Sequence, residues 1–325
     1  MSRGRTPLHG AIANGHHEVA QALLSAGANI NLADDSGMSP VHNALVFQHD
    51  NMDRGTIILA ASQSCDATQK TALHWAAELN DCEAVKTLLL RNANTSVRDH
   101  CGDTPFMKAT RTGCLICVKL LLPHSDPNVS NKTYERPIHV ASQKSVDVVE
   151  YLLDHGALLD PPNQSFTPFD WAAMGNNVEV GRYLHNCGVD VNRADNTGHT
   201  AIFHATICWA PDFVTLLLGL PEVDLSIKNN AGETVLHHVA KLGSPLIAKA
   251  FLDVDHLQGL DPEAIDSSGK TALDVLKARL EPSAGFEDIF QSLVAKLGTV
   301  THGHRSDHDM GGAAREIDVA PTNEG

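Results

Sequence analysis

The sequence predicts an all-α solenoid of about nine helix-turn-helix repeats joined by short hairpin turns. Three observations carry this. The stretch TPLHGAIANGHHEVAQALLSAGANINLADDSG, from Thr6 to Gly37, returns as TALHWAAELNDCEAVKTLLLRNANTSVRDHCG from Thr71. Related starts fall at Thr6, Ser39, Thr71, Thr104, Arg136, Thr167, Thr200, Thr234 and Thr271, at intervals of 31 to 37 residues, a period that belongs to stacked supersecondary units. Hydrophobic residues make up 42% of the 325 and aromatics only 5%, which suits helices packed through Leu and Ala.

Each piece of the unit has a local cause. Thr6 caps a helix that accepts Pro7 in its first turn, where the missing N–H has no intrahelical partner. Leu8, Ala11 and Ile12 share one face of that helix. Asn14 and Gly15 break it, and a second helix starts near His17 with Val19, Leu23 and Leu24 turned inward. Gly27 stands where a helix ends at positive φ, and Asp34, Asp35, Ser36 and Gly37 supply the turn into the next repeat. Such a unit is apolar on both faces and stays folded only between neighbours.

The motifs TPLH at 6–9, SPVH at 39–42, TALH at 71–74, RPIH at 136–139 and TVLH at 234–237 resemble the ankyrin repeat family, from Thr6 to about Gly298. The resemblance implies that His9, His42, His74, His139 and His237 hydrogen-bond the motif Thr and the neighbouring turn. Irregular repeats stand out against it. Repeat two lacks the Gly-Ala pair in DNMDRGTIILAASQSCDATQK and places Gly55 inside the expected helix. Repeat four has Tyr134 in place of the turn glycine. Repeat five is short, opens on Arg136 and leaves through Pro161 and Pro162, and repeat eight lengthens around LDVDHLQGLDPEAID. Repeats two and five are the expected soft points. In repeat nine, Lys277, Arg279, Glu287, Asp288, Gln291 and Lys296 form the polar face of a closing cap, and residues 299–325 are expected to be a disordered tail after a repeat domain over 1–298. At the other end MSRGR aligns with the close of a turn, so repeat one is expected to fray, to self-associate or to continue a longer array; otherwise the chain is expected to be a monomer.

Composition narrows the function classes. With 24 Lys plus Arg against 39 Asp plus Glu, the formal charge of −15 repels phosphate backbones, so no nucleic-acid partner is expected. No apolar run approaches the roughly 18 residues that span a bilayer, so no membrane insertion is expected. Seven scattered cysteines suit a reducing compartment, the cytoplasm or nucleus. Cys114 and Cys117 form CLIC, with Cys117 at the place of Val19 and Cys114 at that of His16; core packing is the expected role, since no second cysteine pair at zinc-finger spacing exists. His302, His304 and His308 in HGHRSDHD lack a folded frame for a metal. Neither a phosphate loop nor a nucleophile elbow is present, and Asp34, Asp99 and Asp195 recur at a fixed place in the turn, so no catalytic residue, cofactor or metal is assigned.

The family resemblance implies a protein-binding groove made of turn tips and the exposed face of each first helix. The expected function is a non-catalytic adaptor or scaffold; the alternative is the regulatory or targeting portion of a larger enzyme or signalling protein, and a metal or redox activity through CLIC and the tail histidines ranks behind both. On this register Phe166 precedes Thr167, Met174 and Gly175 end that repeat's first helix, His199 precedes Thr200, and Ile207 with Cys208 ends the next, followed by Trp209 where a glycine is expected. Trp209 and Ile207 either bury each other or anchor a partner segment. Val46, Phe47 and Leu79 form a second patch, and Glu135, Asn163, Gln164, Glu233 and Lys241 a polar rim.

Overall fold

The computed structural model describes residues 4–47, 65–160, 166–255, 257–279 and 285–305, the last stretch by backbone alone beyond Gly298. First helices start directly after the motif residue in every repeat. In one compact unit, ending at Asn196, they are Pro7–Ala13, Pro40–Phe47, Ala72–Glu78, Pro105–Thr112, Pro137–Ser142 and Pro168–Met174. In the second, from Thr197, they are Ala201–Ile207, Val235–Leu242 and Ala272–Lys277. The second helices are His17–Ser25, Cys82–Leu90, Leu115–Leu121, Val146–Asp154 and Val178–Asn186, then Pro211–Leu218, Pro245–Leu252 and Phe286–Arg305. Within each unit consecutive first helices pack on one another and second helices on second helices. Among the described residues there is no β-strand beyond two isolated bridges.

The core is the stack of inward faces. Leu8, Ile12, Val41, Leu45, Leu73, Phe106 and Ile138 are buried in the first unit, and Phe203, Leu236, Phe251 and Phe290 in the second. At ~1.5–3 kcal/mol for each fully buried large side chain, these faces are the main stabilising term. Val19 departs from the prediction: it is 51% exposed, whereas Ala20 beside it is buried where His17–Ser25 meets Pro7–Ala13. Arg279 and Lys296 depart as well. Arg279 reaches back to the Ala240 carbonyl (3.1 Å) and lies over the Phe286 ring, while Lys296 caps the carbonyls of Leu252 and Val254 (2.7 Å each). Both satisfy carbonyls that helix ends leave open. The last helix runs past Gly298 to Arg305; residues 306–325, most of the expected tail, lie outside the described residues, as do Gly55, Pro161 and Pro162.

The turns share one device. An Asp or Asn oxygen accepts the N–H groups two and four residues on: Asp66 from Thr68 (2.8 Å) and Lys70 (3.0 Å), Asp99 from Cys101 and Asp103 (2.9 Å each), Asn131 from Thr133 (3.0 Å) and Glu135 (2.9 Å), Asn229 from Ala231 (3.0 Å) and Glu233 (2.9 Å). Turn tips then pair with the next repeat, as in His100 N–H to Thr68 O (2.9 Å) and Lys132 N–H to Cys101 O (3.0 Å). Gly102 is required there twice over: φ is +83°, and a Cβ would lie 2.8 Å from the Lys132 nitrogen. Tyr134 occupies the same place at φ +64° with its side chain 72% exposed.

The motif histidines link repeats. Backbone N–H groups of Thr6, Ser39, Thr71, Arg136 and Thr234 donate to Nδ1 of His9, His42, His74, His139 and His237 at 3.1–3.2 Å. Nδ1 is therefore the acceptor, and Nε2–H donates onward to a carbonyl of the following turn: Met38 (2.9 Å), Lys70 (3.3 Å), Asp103 (3.1 Å) and Lys270 (3.0 Å) for His9, His42, His74 and His237. His139 is the exception; its Nε2 faces the Phe166 carbonyl without a well-formed bond, and its ring meets Trp171 edge-on. In repeat six Asp170 replaces the histidine, taking the Thr167 N–H and hydroxyl at 2.8 Å each.

Burial holds His42 and His74 below the usual imidazole value and takes His139 to about 4. The unfolded chain binds these protons near pH 6.5, whereas the folded chain resists them, so stability is complete above about pH 6.5 and falls as pH drops toward 4. Burial acts oppositely on Asp170, pushed up to about 7 against the Thr167 hydrogen bonds that lower it, with the Asp195 charge raising it further. Its contribution is present at low pH and is lost as pH rises toward 7. Asp170→Asn should therefore raise the melting temperature at pH 8 and much less at pH 5, as followed by circular dichroism. His74→Leu should cost about 1–3 kcal/mol in urea unfolding at pH 7.5, because it strands the Thr71 N–H and the Asp103 carbonyl.

Candidate partner-binding surface

The residue nine places after the motif start has to turn the chain from first to second helix. It is left-handed at Gly15, Asn80, Gly113, Asn176, Trp209 and Gly243, with φ between +53° and +76°. Gly and Asn tolerate this conformation; a bulky side chain pays ~1–2 kcal/mol for it. Trp209 bears that cost at φ +59° with 57% of its surface exposed. The mutual burial of Trp209 and Ile207 does not occur. Ile207, the last residue of the helix Ala201–Ile207, is half-buried and Cys208 exposed.

The remaining predicted positions fall as follows. Phe166 is 38% exposed just before the Thr167 cap, and Met174 is half-buried at the end of Pro168–Met174. Both belong to the first unit, whereas His199, Ile207 and Trp209 belong to the second, so the surface expected around repeats six and seven is two sets, each within its own unit. Val46 (38% exposed) and Phe47 (43%) end the helix Pro40–Phe47, and half-buried Leu79 closes Ala72–Glu78 on the next repeat.

His199 is part of the scaffold. Its Nδ1 meets the Thr197 hydroxyl (2.9 Å), its Nε2 meets Asn229 Nδ2 (3.0 Å), and its ring packs 5.1 Å from both Phe203 and His238. The expected polar rim is likewise engaged. Glu233 is buried and pairs with Lys241 and with His238 Nε2 (3.0 Å); burial takes His238 to about 4 although the Glu233 charge opposes it. Glu135 accepts from Arg111 (2.9 Å) and Asn131 (2.8 Å), while Asn163 and Gln164 lie outside the described residues.

Repeat four carries the densest network. Lys108 Nζ sits 2.8 Å from Asp99 and 2.9 Å from Asp103, both carboxylates buried; Arg111 adds 3.3 Å to Asp103, and Asn131 of the next turn donates to Asp103 at 2.8 Å. Desolvation would raise Asp103, but Lys108 and Asn131 hold it below the usual carboxylate value. These groups replace the cross-repeat imidazole that Met107 cannot supply.

One cluster escaped the sequence reading. Cys82 opens the helix Cys82–Leu90, Cys114 caps Leu115–Leu121 and Cys117 lies one turn inside it, so the stack brings Cys82 Sγ to 2.9 Å from Cys117 Sγ and 3.6 Å from Cys114 Sγ. Cys117 is buried, as its register predicts, and the other two are half-buried. Burial pushes the Cys117 and Cys82 thiols up; at Cys114 desolvation acts the same way, but the backbone N–H of Cys117 is the first of several bonds that bring it down. A separation of 32 residues between Cys82 and Cys114, one repeat, is the signal that finds the third thiol.

Lys108→Met should destabilise the fold by about 3 kcal/mol or more, since Asp99 and Asp103 stay buried without their cation. Guanidinium unfolding of the purified chain measures it.

The fold agrees with known proteins. The family described as ankyrin repeats in three copies matches residues 73–164, and single-repeat descriptions match 3–35 and 164–193. The chain is similar to the human transient receptor potential cation channel subfamily A member 1, 24% identical over 287 residues, covering 72% of this chain and 25% of the channel; it thus spans about a quarter of that relative's length. It is also similar to the crystal structure of the human ASB11 ankyrin repeat domain, with a TM-score of 0.56 and 27% identity over 62% of this chain and 92% of that one. Among the described residues no helix is long and apolar enough to cross a membrane. First helices that each open directly after a motif residue, the imidazole links between repeats and these likenesses make this chain an ankyrin repeat protein.

Proposed function

We propose that this chain is a non-catalytic adaptor or scaffold that holds a partner protein through apolar side chains at the ends of its first helices and the preceding turns. Ankyrin repeats mediate protein–protein interaction, and a rigid array presents such side chains without a moving part, so little ordering entropy opposes binding. The observation that carries the reading is Trp209, a large aromatic kept more than half exposed on a left-handed backbone where Gly15, Asn80, Gly113, Asn176 and Gly243 stand at the same place in other repeats. Stability alone disfavours that residue, and Trp is a type that concentrates binding energy at interfaces. Phe166 and Met174 form one anchor set in the first unit and Ile207 beside Trp209 another in the second; Val46, Phe47 and Leu79 supply a further patch in the first unit. A cytoplasmic or nuclear setting, read from the scattered cysteines of the sequence, belongs to the same proposal.

A second reading rests on one observation. The chain matches only 25% of a cation channel subunit, which supports a role as the regulatory or targeting portion of a larger protein. The same surface serves either role.

Trp209→Gly separates fold from function. Relief of ~1–2 kcal/mol of left-handed strain is partly offset by ~0.4–1 kcal/mol of extra unfolded-state entropy, so the variant should be as stable as the parent or up to about 1 kcal/mol more stable. It should nonetheless lose partner capture in quantitative affinity purification from the source cells, with Phe166→Ser and Met174→Ala weakened in parallel. Unchanged capture by all three folded variants would sink the reading.

A further inference from the structure

We propose that Cys82, Cys114 and Cys117 form a binding site for a thiophilic d10 metal ion, Zn2+ or Cu+, that joins repeats three and four. The three sulfurs lie within 4.8 Å of one another, with Cys82 2.9 Å from Cys117 and 3.6 Å from Cys114. With metal–sulfur bonds of ~2.3 Å, three sulfurs around one ion sit roughly 4 Å apart. The triangle therefore needs to open only modestly to enclose an ion.

Three features favour coordination over plain packing of small side chains. Buried cysteines used as core filler turn their sulfurs toward hydrocarbon; here three sulfurs from two repeats converge on one point. The frame is stiff, since Cys82 rides on the helix Cys82–Leu90 and the other two belong to the cap and first turn of Leu115–Leu121, which packs directly against it. The site is also reachable, because Cys82 and Cys114 are half-buried while Cys117 closes its inner side. An all-sulfur donor set selects soft ions. Cu+ is satisfied by three thiolates, and Zn2+ takes a water as its fourth ligand from the open side.

No redox step is involved. As the ion binds, each coordinating thiol releases its proton to solvent, up to three for one ion, and three metal–sulfur bonds form. Because the ligands come from consecutive repeats, the ion binds the folded array and stabilises it by mass action. The other grouping of potential ligands among the described residues, Asp99, His100 and Cys101, has two exposed members on a turn tip, and its aspartate is already committed to Lys108 and the turn N–H groups.

The test uses the full chain, reduced with a phosphine under argon. Co2+ serves as the spectroscopic probe for a Zn2+ site, and Cu+ is added in a separate arm against a competing chelator. The expected result is one ion per chain, thiolate-to-metal charge-transfer absorption, proton release and a higher melting temperature. All four should be lost in Cys82→Ser and retained in Cys101→Ser and Cys187→Ser, whose thiols are exposed elsewhere. If Cys117→Ser fails to fold, Cys82→Ser at its half-buried position still decides, with circular dichroism as the check on folding. Tighter binding in one arm identifies the ion. The proposal is overturned if no charge-transfer band forms, if the band survives in folded Cys82→Ser, or if bound Zn2+ lacks thiolate ligation.

Discussion

The structure depends on a single neutral imidazole bridging two backbones. In His9, His42, His74 and His237, Nδ1 accepts the cap residue's N–H and Nε2–H reaches a carbonyl of the following turn. One side chain thus caps its own helix and sets the height of the next repeat. The chemistry requires the neutral ring, which is why burial depresses His42 and His74 and why acid loosens the stack. Stacked apolar faces supply most of the energy; the imidazole makes the spacing unique.

Where the bridge is missing, the chain substitutes other chemistry. Asp170 and Asp274 reproduce the local cap with a carboxylate but reach no further than Thr167 and Thr271. Met107 contributes only packing, and the charges of Lys108, Asp99 and Asp103, with Asn131 beyond them, take over the link into repeat five. Buried ion networks of this kind contribute less net stability than hydrocarbon but penalise partial opening heavily, since any member left behind is a buried charge.

The period and the cap residues were legible because each rests on local chemistry: Thr and Pro at a helix start, Gly or Asn at a left-handed turn, Asp or Asn where a turn needs an acceptor. The starts, the helix faces and Tyr134 and Trp209 at glycine positions follow from these rules. What escaped depends on neighbours. Val19 aligns with buried Cys117 yet is exposed, because burial is set by what packs over a position and not by its register. Arg279 and Lys296 read as surface charge in one dimension, but carbonyls some forty residues back along the chain claim them, and Glu233 is held by Lys241 of its own repeat. Cys82 joins Cys114 and Cys117 only once two repeats are stacked. Of the candidate surface, the apolar side chains at helix ends were visible, whereas the engagement of His199 with Thr197 and Asn229 was not.

A fold built this way confines each interaction to adjacent repeats. Native-state hydrogen exchange on Leu88→Ala tests that claim most directly, since Leu88 is buried in the second helix of repeat three. The account predicts protection lost in repeat three and in the second helix of repeat four, Leu115–Leu121, with amides of Val235–Leu242 and Pro245–Leu252 exchanging as in the parent chain. Equal loss of protection across all repeats would contradict it, and would mean that the array opens as one cooperative body.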